Sequence, residues 1–367
     1  MNDFDRLLQE SLRTMTDSAR DARGAQRTRA QVEFARRLRR RRITYSIGAS
    51  LLAGVAAVVV ILFAVGAFDL GISRHASPVL PAAPRGLIRT GSKPTDLAPG
   101  SGSLWVANSR AGTVTRIDPD TGVVTQQIDV SGSPTDTEAG SGFQWVANTG
   151  LSAVQQIDPS TNEVSTISVG SRGKPLSISV GQGAVWVVVQ GDKLIRVGIH
   201  SHRTSTVSLV HQPYDVAARE GAVWVLDAKK GLVRLSDSGD KILSKPISVN
   251  IRGIGDVYTG PGALWIASHG SNRIDQIDPT TSQFVSTTDL QGHYIDMAIT
   301  PTGVWTLSEA DDGAAYLTHL DSRNGKQLGA PTKLDGDPVQ ITNTNPDLWI
   351  ALQADGGVVR VPQTVQP

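Results

Sequence analysis

Seven tryptophans stand at positions 105, 145, 186, 224, 265, 305 and 349, separated by 40, 41, 38, 41, 40 and 44 residues. Each lies in a short apolar run such as LWVA, VWVV or LWIA. In five units a glycine precedes Trp by three residues: Gly102, Gly142, Gly183, Gly221 and Gly262. A period near 40 built from short strands is the mark of a toroid of four-stranded blades. The chain therefore reads as all-β, a seven-bladed β-propeller with Trp on the second strand, B, of each blade. Those B strands are apolar on both faces because stacked blades cover a sheet from both sides.

The rest of each unit falls into phase. The glycine suits a tight A-to-B hairpin that needs positive φ. After strand C come RIDPDTG (116–122), QIDPSTN (156–162) and QIDPTTS (276–282), where Asp-Pro followed by Thr predicts a turn into strand D. The seventh unit runs out after GVVRVP, without a D strand. GLIRTG, Gly86 to Gly91, has the missing strand's character and precedes the first A strand. It is predicted to pair with Gly357–Pro362, closing the ring and removing an open edge.

Upstream, Ile43 to Phe68 form 26 residues without a charge, immediately after RRLRRRR (36–42). As a helix they span about 39 Å, enough for a hydrocarbon core of about 30 Å. Arginines at that end hold it in the cytoplasm. The alternative is a cleaved signal peptide with small residues at Ala64 and Gly66, but the apolar run exceeds a signal core of roughly 7–15 residues. The expected order is a cytoplasmic Arg-rich tail (1–42), a transmembrane helix (43–68), a Pro-rich spacer (69–85) and the propeller (86–367). This makes a single-pass protein of the cell membrane, N-terminus cytoplasmic and propeller outside. Residues 1–42 hold twelve Arg against six acids, whereas the other 325 hold 23 basic against 28 acidic residues. A mildly acidic body argues against nucleic-acid binding. With no cysteine, disulfides and thiolate metal sites are excluded.

Nine residues before each Trp, at the start of the innermost strand, stand Asp96, Asp136, Ser177, Asp215, Asp256, Asp296 and Gln340. In a closed ring these line one mouth of the channel. The five carboxylates either accept backbone N–H groups and fix the D-to-A connection, or hold Mg²⁺ or Ca²⁺, since close carboxylates repel unless bonded or neutralised. Residues that break the repeat mark the ligand-binding face: His211, Tyr214, Asp227 and Tyr294. His269, His293 and Glu309, from units five and six, are the candidates for acid–base chemistry. No phosphate loop, G-x-S-x-G elbow or H-E-x-x-H pair occurs.

The units GSLWVANSRAGTVTRIDPDTG and GALWIASHGSNRIDQIDPTT resemble the propellers grouped with virginiamycin B (streptogramin) lyase and the related YVTN and NHL repeats. The resemblance covers residues 86–367. It implies the fold, and an elimination chemistry that uses a histidine and a divalent cation held by acids. Those lyase repeats often read W-F-T-E. Here the position three after Trp holds Asn108, Asn148, Val189, Asp227, Ser268, Ser308 and Leu352, with no glutamate. His269 in SHGSNRIDQID is the nearest local match. The function expected from the sequence is a membrane-anchored binding or scaffold module for a protein, peptide or cell-envelope ligand, without a cofactor. The alternative is a divalent-cation-dependent lyase.

Overall fold

The computed structural model describes residues 80–81, 86–170, 173–191, 193–219, 221–249 and 255–364. The Arg-rich tail, the expected membrane helix and nearly all of the spacer lie outside them. Among the described residues no helix is long and apolar enough to cross a membrane.

Seven antiparallel sheets follow one another around a ring. Their A strands are Pro94–Gly100, Pro134–Gly140, Pro175–Gly181, Pro213–Arg219, Gly255–Gly260, His293–Thr300 and Pro338–Asn343. Their B strands are Ser103–Asn108, Phe143–Asn148, Ala184–Val189, Ala222–Asp227, Ala263–Ser268, Gly303–Glu309 and Leu348–Leu352. We number the blades 1 to 7 in this order. The face carrying the D-to-A and B-to-C connections is called the top, and the face of the A-to-B and C-to-D turns the bottom.

The hairpin glycines behave as the sequence requires. Ser101–Gly102, Ser141–Gly142 and Gln182–Gly183 have positive φ at both residues, the two-residue turn that matches strand twist. At the bottom, Asp118, Asp158 and Asp278 accept N–H groups two or three residues ahead, at 2.7–3.1 Å, forming the predicted Asp-Pro turns.

Each Trp is buried against the following blade. Trp105 packs with Val146 and Ile157 of blade 2, Trp145 with Val185 and Val187 of blade 3, and Trp349 with Leu97 and Leu104 of blade 1. Burying about 200 Å² of indole at about 25 cal/mol/Å² contributes about 5 kcal/mol before entropy is set against it. The residue opposite each Trp on strand C adds a second tie. It is Arg116, Gln156, Arg196, Arg234, Gln276, His319 or Arg360. The four arginines lie 5.0–5.8 Å from their indole centroids. Arg116, Gln156 and Gln276 then donate to carbonyls in the next blade's C-to-D turn, those of Pro159, Ile199 and Ser322, at 2.7–3.3 Å.

The ring closes as expected, through a shorter ladder. Ile88 pairs with Val358 and Arg89 with Gly357. Beyond them Thr90 N and Gly91 N both donate to Gly356 O, which turns the chain toward the first A strand. Arg360 Nη1 donates to Asp120 O of blade 1 at 2.6 Å, so the last blade is tied to the first by the same device as blades 1, 2 and 5 to their neighbours. Leu80–Pro81 forms a further short pairing with Gln363–Thr364.

One blade departs from the four-strand expectation. Among the described residues blade 4 has three strands, and its outer segment pairs with strand C at the Leu235–Ile242 and Leu232–Ile247 bridges. Two residues on one side face four on the other between these bridges, and Pro246 has no N–H to give to a ladder.

Candidate functional site

Strand A is the inner edge of every sheet, so half of its N–H groups have no partner within the blade. The recurring aspartates supply one. Asp96 Oδ2 accepts from Thr137 N at 2.6 Å, Asp136 Oδ2 from Ile178 N at 2.8 Å, Asp215 Oδ2 from Val257 N at 2.9 Å and Asp296 Oδ2 from Ile341 N at 2.7 Å. In each case the donor follows the equivalent position of the next blade. Asp215 Oδ1 also accepts from Ser177 Oγ at 2.5 Å. The ring is therefore a set of struts between blades. Its aspartates are 0–2 % exposed. Carboxylates go where unpaired amides are, because an unsatisfied buried donor is costly.

Between blades 5 and 6 the pattern changes. Asp256 Oδ2 lies 2.9 Å from His269 Nε2, with the two side chains 1 % and 8 % exposed. The His269 ring sits 5.4 Å from that of Tyr294. Tyr294 Oη donates to Tyr258 Oη at 3.1 Å, and Tyr258 Oη to Asp296 Oδ1 at 2.5 Å. Burial first, then the neighbouring aspartates, push both phenols well above their ordinary pKa, so they act as neutral donors. Tyr294, expected on the ligand face, is instead fully enclosed, because its bond to Tyr258 turns it into the blade interface.

His293 and Glu309 are cross-strand partners at the top of blade 6. His293 Nε2 lies 3.1 Å from Asp311 Oδ1 at the surface. The two candidate histidines thus engage different carboxylates, one buried and one solvated. Among the described residues no three His, Asp or Glu side chains are grouped to hold a metal ion. Asp256 and His269 offer two donors, and the ring carboxylates named above are bonded to amides. This donor set does not fit the acid-lined cation site that the lyase resemblance implies.

The position three after Trp clamps two top loops together. Asn148 Oδ1 accepts from Ser133 N and Leu151 N at 2.9 and 3.2 Å. Asp227, its counterpart in blade 4, accepts four N–H bonds of 2.7–3.0 Å, from His211, Gln212, Lys229 and Lys230. Burial works against its charge, but the four amides outweigh burial and hold the carboxyl below its usual pKa. Asp227 is thus committed to the loops. Beside it a cavity of 290 Å³ is lined by Tyr214, Asp227, Ala228, Lys229, Lys230, Gly231, Ser248 and Val249. Of the four residues expected to bind ligand, the structure brings Tyr214 and Asp227 to this cavity. His211 is exposed on the adjoining loop, its backbone held by Asp227.

Sequence reasoning missed Tyr258, Glu138, Arg219 and the lysine pair. A signal existed. Seven residues before Trp the other blades carry Ala98, Ser179, Ala217, Ala298 and Thr342, against which Glu138 and Tyr258 stand out. Five before Trp stand Gly100, Gly140, Gly181 and Gly260, against Arg219.

The architecture defines the class, a seven-bladed β-propeller, and solved structures match it. A streptogramin B lyase superposes with a TM-score of 0.64 at 16 % identity, covering 76 % of this chain and 97 % of that one. A chain of a mitotic checkpoint complex gives 0.62 at 12 % identity, covering 81 % and 98 %. A chain of the Kuenenia stuttgartiensis hydrazine synthase gives 0.61 at 13 %, covering 76 % and 98 %. No family model and no curated protein matches. At these identities the likeness is one of fold, shared with the streptogramin lyase.

Proposed function

We propose that this chain is a membrane-anchored extracytoplasmic propeller that binds a protein, peptide or cell-envelope ligand through its top face. The observation that carries the reading is a division of labour. The repeated aspartates are bonded to backbone amides of adjacent blades, while residues that break the repeat, Tyr214 and the lysine pair, border a cavity at the top. Irregular loops on a rigid ring are the usual seat of specificity. Residues 43–68 supply the anchor, with Arg36–Arg42 on the cytoplasmic side.

The test is protease accessibility of the full-length protein in sealed vesicles of both orientations, combined with alkaline extraction. Cleavage of the propeller only from the non-cytoplasmic side, with resistance to extraction, supports the reading. Release by alkali overturns the anchor.

The close His269–Asp256 pair favours a second reading, a lyase that uses His269 as base. Melting the detergent-solubilised protein with Mg²⁺, Ca²⁺ or EDTA tests its cation dependence, because a ligand bound by the native state raises the midpoint. A metal-dependent shift abolished in His269→Ala supports it, and an unchanged midpoint at millimolar metal removes the cation-dependent form.

A further inference from the structure

The blade 4 cavity has a composition that selects its ligand. We propose that it binds an oxyanion, the phosphate, sulfate or carboxylate group of a small polar molecule. This rests on the top face being the ligand face and adds the chemistry it recognises. The cavity lies past the Leu232–Ile247 bridge, where the outer segment of blade 4 makes its last pairing with strand C and Ser248 and Val249 continue as a far wall opposite the Asp227–Lys230 turn. Its volume of 290 Å³ is at the small end of ligand sites, suited to a metabolite-sized molecule.

Charge settles the sign. The lining holds two ammonium groups, Lys229 and Lys230, against one carboxylate, Asp227. Asp227 is enclosed and receives four amide N–H groups, so its oxygens are directed into the loops. Four N–H dipoles offset its negative field on the cavity side. Lys230 Nζ is held at 2.7 Å from Leu209 O, which fixes a cation in place before a ligand arrives and leaves two of its three donors. Lys229 is exposed, and two hydroxyl-bearing residues, Tyr214 and Ser248, also line the cavity. Two ammonium groups and two hydroxyls around a small concavity match an oxyanion's several acceptors. The same two positions carry Arg110–Ala111 in blade 1 and Gly150–Leu151 in blade 2, so the lysine pair is not a product of the repeat.

The experiment is calorimetric titration of the full-length protein in detergent with sodium phosphate, sodium sulfate or sodium malonate. Sodium chloride at matched ionic strength is the control. Saturable binding of at least one of the three, weakened tenfold or more in Lys229→Gln and in the Lys229→Gln/Lys230→Gln double variant, supports the proposal. The ranking of the three probes names the group. Lys229→Gln leaves the amide bonds to Asp227 in place, so folding does not confound it, and Lys326→Ala in a bottom-face turn should leave binding unchanged. Equal heats for chloride and all three probes, or equal weakening by Lys326→Ala, overturn it. Because vesicle topology is read separately, failure here leaves the anchored-module reading standing, and failure of the topology test leaves this one.

Discussion

Arg219 Nη2 of blade 4 meets Glu138 Oε1 of blade 2 at 2.8 Å, passing over blade 3 within the channel. The other carboxylate oxygen, Oε2, accepts Val180 N of blade 3 at 3.1 Å. One acidic side chain thus joins three consecutive blades. Glu138 is 2 % exposed, so it depends on these partners for its charge. Arg219→Ala is expected to cost about 3–5 kcal/mol, the range for orphaning a buried charge. Denaturant unfolding checks this, and Arg219→Ala/Glu138→Gln should recover part of the loss. A single variant within 1 kcal/mol of wild type, about the worth of a surface pair, would mean that solvent supports the carboxylate.

Asp227→Asn exchanges an oxygen that accepts two amides for an NH₂ group that repels them. The expected cost at pH 7 is about 1.5–3 kcal/mol, the worth of hydrogen bonds to a charged group. The folded pKa of Asp227 is lowered, so its contribution is complete above the unfolded value near 3.9 and fades as pH falls through the folded one. Urea curves from pH 7 to 3 should therefore converge for wild type and variant at the acid end. Parallel curves would assign the loss to packing.

His319 stacks face to face on Trp305, centroids 4.1 Å apart, and burial lowers its pKa from 6.5 to about 4. The unfolded chain takes up a proton near 6.5 and the native state resists until about 4. Stability should be flat above 6.5 and fall as pH drops from there toward 4. His319→Gln, which copies Gln156 and Gln276 opposite their tryptophans, should flatten that window in a thermal-melt series. An unchanged slope would show that other groups produce it.

A Cβ at Gly181 would run into the Ala218 carbonyl oxygen of blade 4, and one at Gly140 into Val180 of blade 3. These glycines end their A strands, and their carbonyls accept Trp186 Nε1 and Trp145 Nε1 at 3.1 and 3.2 Å. Gly181→Ala should cost about 1–3 kcal/mol, as overpacking does. Reduced amide protection should centre on blades 3 and 4 in hydrogen exchange. Loss spread evenly over the ring would count against a local clash.

Blade number, strand order and the closing strand could be read in advance because they follow from the Trp period and from an outer strand missing at one end and present at the other. That Asp96 and Asp136 accept backbone N–H groups was one of two readings the sequence offered, but that the donors, Thr137 and Ile178, belong to the next blade was not legible, because no side-chain pattern reveals an amide partner across a blade interface. Tyr294 was misplaced for a related reason. A tyrosine in a loop-like GHYID reads as exposed until its partner Tyr258 is known. Glu138 and Tyr258 were within reach of the sequence, as large residues where most blades carry Ala, Ser or Thr. The blade 4 cavity depended on where the outer segment parts from strand C after Ile247, which no sequence pattern specified.

Ile88 and Arg89 are joined to Val358 and Gly357 at the outer edge of blade 7. Any tension carried by the chain upstream is directed along the axis of this outermost strand. Its hydrogen bonds then bear the load together, in shear, instead of parting one after another. The Leu80–Pro81 pairing with Gln363–Thr364 precedes it along the chain, so such tension reaches that pairing first. A toroid fastened in this way can be pulled from its N-terminal side without its latch being the first pairing that the pull meets.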